Sequence, residues 1–158
     1  MNAAQILAKY WATREYPVDP YIIAYENDIQ IINNPNLKDK DIAGKIYKKD
    51  NGQVAIEVNP WQTPYRQRFT VAHELGHYFL GHDLSDGLNR VDTITNLSNP
   101  TDKIETQANS FAAELLMPRE FIEHILYEQQ ISDIDKIADM LQVSRLALGY
   151  RLKNLGLI

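Results

Sequence analysis

The chain has 158 residues, 44% hydrophobic and 23% charged, with 16 basic against 21 acidic side chains and a formal net charge of -5. These values fit an ordinary globular domain and exclude disorder, collagen-like repeats and a surface that is basic throughout, leaving room only for a local basic face. Cys 0 excludes disulfides, thiolate nucleophiles and every cysteine-held zinc or iron–sulfur centre, so a metal would have to be held by His, Asp or Glu.

A cytoplasmic protein is expected. The lack of cysteine fits a reducing compartment, and residues 1–16 carry Lys9, Arg14 and Glu15 without an apolar block, unlike a signal peptide. No apolar run approaches the ~18 residues of a membrane helix. Along residues 3–14, Ile6, Leu7, Tyr10 and Trp11 fall on one helical face, and Pro17 is a stop. From Val18 to Pro60 the texture changes to short β-rich runs at residues 21–25, 29–32, 45–47 and 54–58, with Asp50-Asn51-Gly52 as a hairpin turn before the last. They predict a small twisted, mostly antiparallel sheet. Thr63 as cap and Pro64 at the first helical position open a helix that runs to about Gly81. Residues 83–100 are polar and turn-rich. A second helix is expected from near Thr101 to Met117, ended by Pro118, and a third over about residues 119–129. Ser132-Asp133 caps a short helix to Leu141, and Ser144 caps a last one that Gly156 ends.

The chemistry is concentrated in His73-Glu74-Leu75-Gly76-His77, an H-E-x-x-H pattern. On a helix, residues four apart differ by about 40° in azimuth, so both imidazoles can meet one tetrahedral ion. Glu74 then sits beside the ion as a base rather than a ligand. Val71, Leu75 and Tyr78 lie on the opposite face, which places the histidines off the core stripe. A catalytic site needs a third protein ligand. His82 is half a turn out of phase with His73 if the helix continues, and reads as a solvated helix-end residue. Glu105 and Glu114 lie nine residues apart on the second helix, face opposite ways, and cannot both serve. Asn109, one turn after Glu105, could bond the outer nitrogen of a metal-bound histidine, which favours Glu105 over Glu114. Gly76 costs about 1 kcal/mol against Ala in mid-helix, so it marks either close backbone packing or a tolerated defect. His124 stands alone and reads as structural or exposed.

The segment Arg68-Phe69-Thr70-Val71-Ala72-His73-Glu74-Leu75-Gly76-His77, followed by Glu105-x-x-Ala108-Asn109-x-Phe111-Ala112-Ala113-Glu114-Leu115-Leu116-Met117-Pro118, resembles the ImmA/IrrE family of zinc metallopeptidases. The resemblance implies an α+β, minimal zincin-like (gluzincin) fold. It also implies one Zn2+ per chain on His73, His77 and Glu105, with Glu74 as general base. The activity implied is endoproteolysis of a helix-turn-helix repressor encoded nearby, in phage, mobile-element or stress regulation. We divide the single domain, 1–158, into an N-terminal helix (1–16), a sheet (17–60), the zinc-site helices (61–130) and a helix-turn-helix-like subdomain (131–158). A substrate strand is expected along the edge of the sheet, with residues 54–58 as the candidate edge. Tyr47, Tyr65 and Arg66 are candidates for the oxyanion partner, although such side chains more often serve packing and surface.

The last helix carries Arg145, Arg151 and Lys153 and no acidic side chain, the pattern of a basic recognition helix. Three charges are a weak footprint for DNA, so packing through Leu148, Leu152 and Leu155 is the first reading of this helix and DNA contact the second. The competing reading of the whole chain is a non-catalytic regulatory or toxin–antitoxin binding module with a structural metal.

Overall fold

Asn2 begins the first helix, α1 (Ala3–Tyr10), with a capping box: its side chain accepts from the Gln5 N–H and the Gln5 side chain accepts from its own. The structure is a computed structural model that describes residues 1–38, 40–84, 90–92 and 102–158. The stretch expected to be polar and turn-rich lies largely outside the described residues. Ala3, Ile6 and Leu7 are buried, as the periodicity predicts, but α1 ends at Tyr10 rather than Arg14. Trp11 leaves the helix, its indole N–H donating 2.6 Å to the Glu15 carbonyl, and Arg14 takes φ 58.

Residues 21–25, expected as a strand, form the helix α2 (Pro20–Glu26). Asp19 accepts a hydrogen bond from the Tyr21 N–H at 2.9 Å and Pro20 holds the first turn, so local capping outweighs the strand preference of Ile22-Ile23. Ile23 and Ala24 are buried while Ile22 and Tyr25 are exposed.

The sheet has strand order β1-β3-β2-β4, with β1 (Gln30–Asn33), β2 (Gly44–Lys48), β3 (Val54–Val58) and β4 (Arg90–Asp92). β2 is antiparallel to β3 and β4, and β1 runs parallel to β3. The Asn51-Gly52 turn closes the β2–β3 hairpin with Gly52 at φ 88. β3 is therefore central and buried along its whole length, and the expectation that residues 54–58 form a free edge is overturned. Among the described residues the edges are β1 and β4.

Val54, Ile56 and Val58 turn toward the helices, and Glu57 turns to the opposite face. There the Asn34 amide donates to Glu57 Oε1 at 2.7 Å, and Lys45 Nζ lies 3.5 Å from Oε2. The helical layer holds α3 (Pro64–Phe79), α4 (Lys103–Leu116) and α5 (Arg119–Glu123), which continues as a π-turn over His124–Glu128. It closes with α6 (Ile134–Leu141) and α7 (Arg145–Asn154), joined by a short turn in which Gln142 is left-handed. α3 packs on β2 and β3 and along α4, and α1 covers α4. One cluster of buried apolar residues runs from Ala3 in α1 to Leu152 in α7. The buried Arg68 of α3 joins distant parts of the chain, donating from a terminal guanidinium nitrogen to Val18 O at 2.5 Å and from Nε to Gln142 O at 3.1 Å. No helix among the described residues is long and apolar enough to cross a membrane.

Burial works against ionised Glu57, but hydrogen bonds from Asn34 and Tyr47 and the Lys45 charge outweigh it and hold the carboxyl below its ordinary range. The folded state thus binds this proton more weakly than the unfolded chain. The resulting stability is fully present above about pH 4.3, the unfolded value, and is lost as pH falls through the folded value. Denaturant unfolding between pH 3 and 7 should show Glu57→Gln to be less stable than wild type at pH 7, with the difference shrinking toward pH 3. A gap that stays constant with pH would contradict the assignment.

Candidate metal centre

Thr63 caps α3 by accepting from the Arg66 N–H, and Pro64 occupies its first position, so the helix begins where the sequence predicts. His73 and His77 follow on one face, four residues apart. Every residue from Val71 to His77 is buried, because the sheet covers one side of the helix and α4 another. The two histidines therefore lie inside the protein rather than off its core, with 0% exposure each.

α4 supplies the third group. Asp102 caps it, accepting from the Glu105 N–H at 2.8 Å, and this places Glu105 in the first turn, where the positive end of the helix favours a carboxylate. His73 Nε2 lies 3.0 Å from Glu105 Oε2 and 3.1 Å from His77 Nε2, and His77 Nε2 lies 3.5 Å from Glu105 Oε1. Ligands about 2.0–2.2 Å from one ion at the tetrahedral angle are about 3.4 Å apart, so the spacing and the N, N, O donor set fit a single small cation. Glu74, between the histidines in sequence, is also fully buried. Glu114 is exposed, away from this cluster.

Both imidazoles are held from behind. His73 Nδ1 lies 2.7 Å from Asn109 Oδ1, one turn along α4 from Glu105. His77 Nδ1 lies 2.8 Å from His82 Nδ1, and His82 Nε2 lies 2.9 Å from Gln107 Oε1. The reading of His82 as a solvated helix-end residue is thus corrected. Helix phase does not apply to it, because Gly81 at φ 74 reverses the chain and the His82 N–H returns to His77 O at 3.0 Å. The signal was present in Leu80-Gly81-His82, a glycine placed to end a helix just before a polar ring.

The oxyanion candidates are engaged elsewhere or exposed. The Tyr65 hydroxyl donates to Asp139 at 3.3 Å, Tyr47 bonds Glu57 on the far face of the sheet, and Arg66 is exposed. On α7, Arg145 contacts Asp135 at 3.1 Å and Arg151 Nε donates to Met117 O at 2.9 Å. Two of the three basic groups considered for DNA thus bond within the chain, while Lys153 is exposed and Leu148 and Leu152 are buried.

A mixed sheet carrying an H-E-x-x-H helix, crossed by a second helix that brings a glutamate to the histidines, is a zincin-like α+β fold. The chain belongs to the ImmA/IrrE family of metallopeptidases, since residues 26–153 match the IrrE N-terminal-like domain that defines peptidase family M78. It is 31% identical over 110 residues to Metallopeptidase ImmA of Bacillus subtilis (strain 168), a match covering 70% of this chain and 62% of that protein. It also shares its fold with a solved Mycobacterium tuberculosis transcriptional regulator, with TM-score 0.60 and 19% identity over 95% of this chain and 45% of that one.

The approach of α4 to α3 depends on Gly76. A Cβ there would stand 3.1 Å from Ala108 O and from Phe111 Cβ, and 3.2 Å from Ala108 Cα. Ala would gain about 1 kcal/mol of helix propensity, but overpacking against a backbone that cannot turn aside costs about 1–3 kcal/mol. Gly76→Ala should therefore lower the melting temperature of the metal-free protein. An unchanged or raised value would show that α4 yields without cost.

Proposed function

We propose that this chain is a zinc-dependent endopeptidase with His73, His77 and Glu105 as metal ligands and Glu74 as general base. The observation that carries the reading is the convergence of three buried side chains, His73 and His77 from α3 and Glu105 from α4, whose nearest donor atoms lie 3.0–3.5 Å apart beside the buried Glu74. Two imidazoles and one carboxylate suit zinc better than magnesium or calcium, which take oxygen ligands. Held by His73, His77 and Glu105, a zinc ion would supply Lewis-acid polarisation of a peptide carbonyl and would acidify water enough for attack near neutral pH. Glu74 takes the proton from the attacking water and returns it to the leaving amine, Asn109 orients His73, and Glu105 lowers the charge of the centre. Burial keeps competing solvent away from these groups.

The motifs shared with the ImmA/IrrE family support a cytoplasmic role in which the substrate is a helix-turn-helix repressor. β1 and β4, as the outer strands of the sheet, are the places where an extended substrate can add. The test is incubation of wild type and Glu74→Gln with the repressor encoded beside the gene, followed by mass spectrometry of the products. Glu74→Gln should bind as much zinc as wild type and cut about 10²–10⁴-fold more slowly. Full repressor inactivation by Glu74→Gln would show that the chain acts by binding, without proteolysis.

A further inference from the structure

We propose that His82 is a positioning residue for the metal centre, holding His77 in the tautomer and orientation that turn its Nε2 lone pair inward. The proposal rests on the metal reading above. It begins with helix termination: Leu80 is the last residue of the α3 turn, Gly81 is left-handed, and the Gly81 and His82 N–H groups bond Tyr78 O at 3.2 Å and His77 O at 3.0 Å. In this terminating motif the side chain two residues past the cap meets the one in the last turn that its own N–H has reached. That pair is usually apolar. Here it is His82 and His77, with Nδ1 atoms 2.8 Å apart and ring centroids 5.1 Å apart.

Two imidazole nitrogens at 2.8 Å form a hydrogen bond only if one carries the proton and the other a lone pair. His77 Nε2 faces His73 and Glu105, where a ligand must present a lone pair, so His77 carries its proton on Nδ1 and donates to His82. His82 then has its proton on Nε2, and the atom 2.9 Å from that nitrogen is the acceptor Gln107 Oε1. The chain from His77 through His82 to Gln107 is consistent at each link. It parallels the contact of His73 Nδ1 with Asn109 Oδ1, and both chains end on α4, the helix that carries Glu105. Thus α4 supplies the carboxylate and also orients both rings of α3.

The experiment is zinc titration against a chromophoric chelator for wild type, His82→Ala and His82→Asn, with long-range 1H–15N imidazole spectra of wild type with and without zinc. The Asn amide can accept from His77 and still donate toward Gln107. His82→Ala should bind zinc about 10–100-fold more weakly, the range for loss of such partners, and His82→Asn should recover most of that loss. The spectra should show His77 protonated at Nδ1 and His82 at Nε2. Wild-type affinity in His82→Ala, an Asn variant as weak as the Ala variant, or the opposite tautomers would each overturn the proposal while leaving the metal centre standing. A wild type that binds no zinc would overturn the metal reading and this role with it, and the metal-free spectrum would still report whether the two rings are bonded.

Discussion

The contact of α3 with α4 at Gly76 is the constraint on which the site depends. With no side chain there, Ala108 and Phe111 of α4 come against the backbone of α3 between the two histidines, and Glu105, one turn earlier on α4, reaches their Nε2 atoms. Neither helix holds the donor set alone. Its three atoms are separated by 32 residues of sequence and brought together by a packing distance that one methyl group would alter. The sheet below and α1 above fix the pair from the other sides.

Burying two imidazoles and two carboxylates in one place is costly unless their polar atoms are satisfied. α4 meets much of that demand. Its N-terminal turn favours the Glu105 carboxylate, Asn109 engages His73, and Gln107 engages the ring that engages His77. The α6–α7 pair, whose sequence has the phrasing of a DNA reader, turns two of its arginines to contacts within the chain, and Arg68 and Tyr65 tie α6 and its turn to the start of α3. The pair thereby braces the helix that carries the histidines.

Much of this was legible because it is local. Thr63-Pro64, the four-residue spacing of His73 and His77, and the four-residue spacing of Glu105 and Asn109 follow from capping and helical phase, and the donor atoms that converge belong to those residues. Strand order was not legible. The Asn51-Gly52 turn specifies the β2–β3 hairpin, but nothing near residues 54–58 announces the parallel partner β1, so β3 read as an edge. In residues 21–25 the β-branched side chains favour a strand, but Asp19-Pro20 start a helix and that local capping prevails. Helical phase gives no position for His82, because the chain turns back at Gly81.

The most direct test is elemental analysis of protein purified without chelator, comparing wild type with His77→Ala and Glu105→Ala. The account predicts about one zinc per chain in wild type, and loss of it in both variants while their far-UV circular dichroism is retained. Wild-type protein that stays metal-free after zinc is offered, or a Glu105→Ala variant that keeps its full complement, would contradict the account.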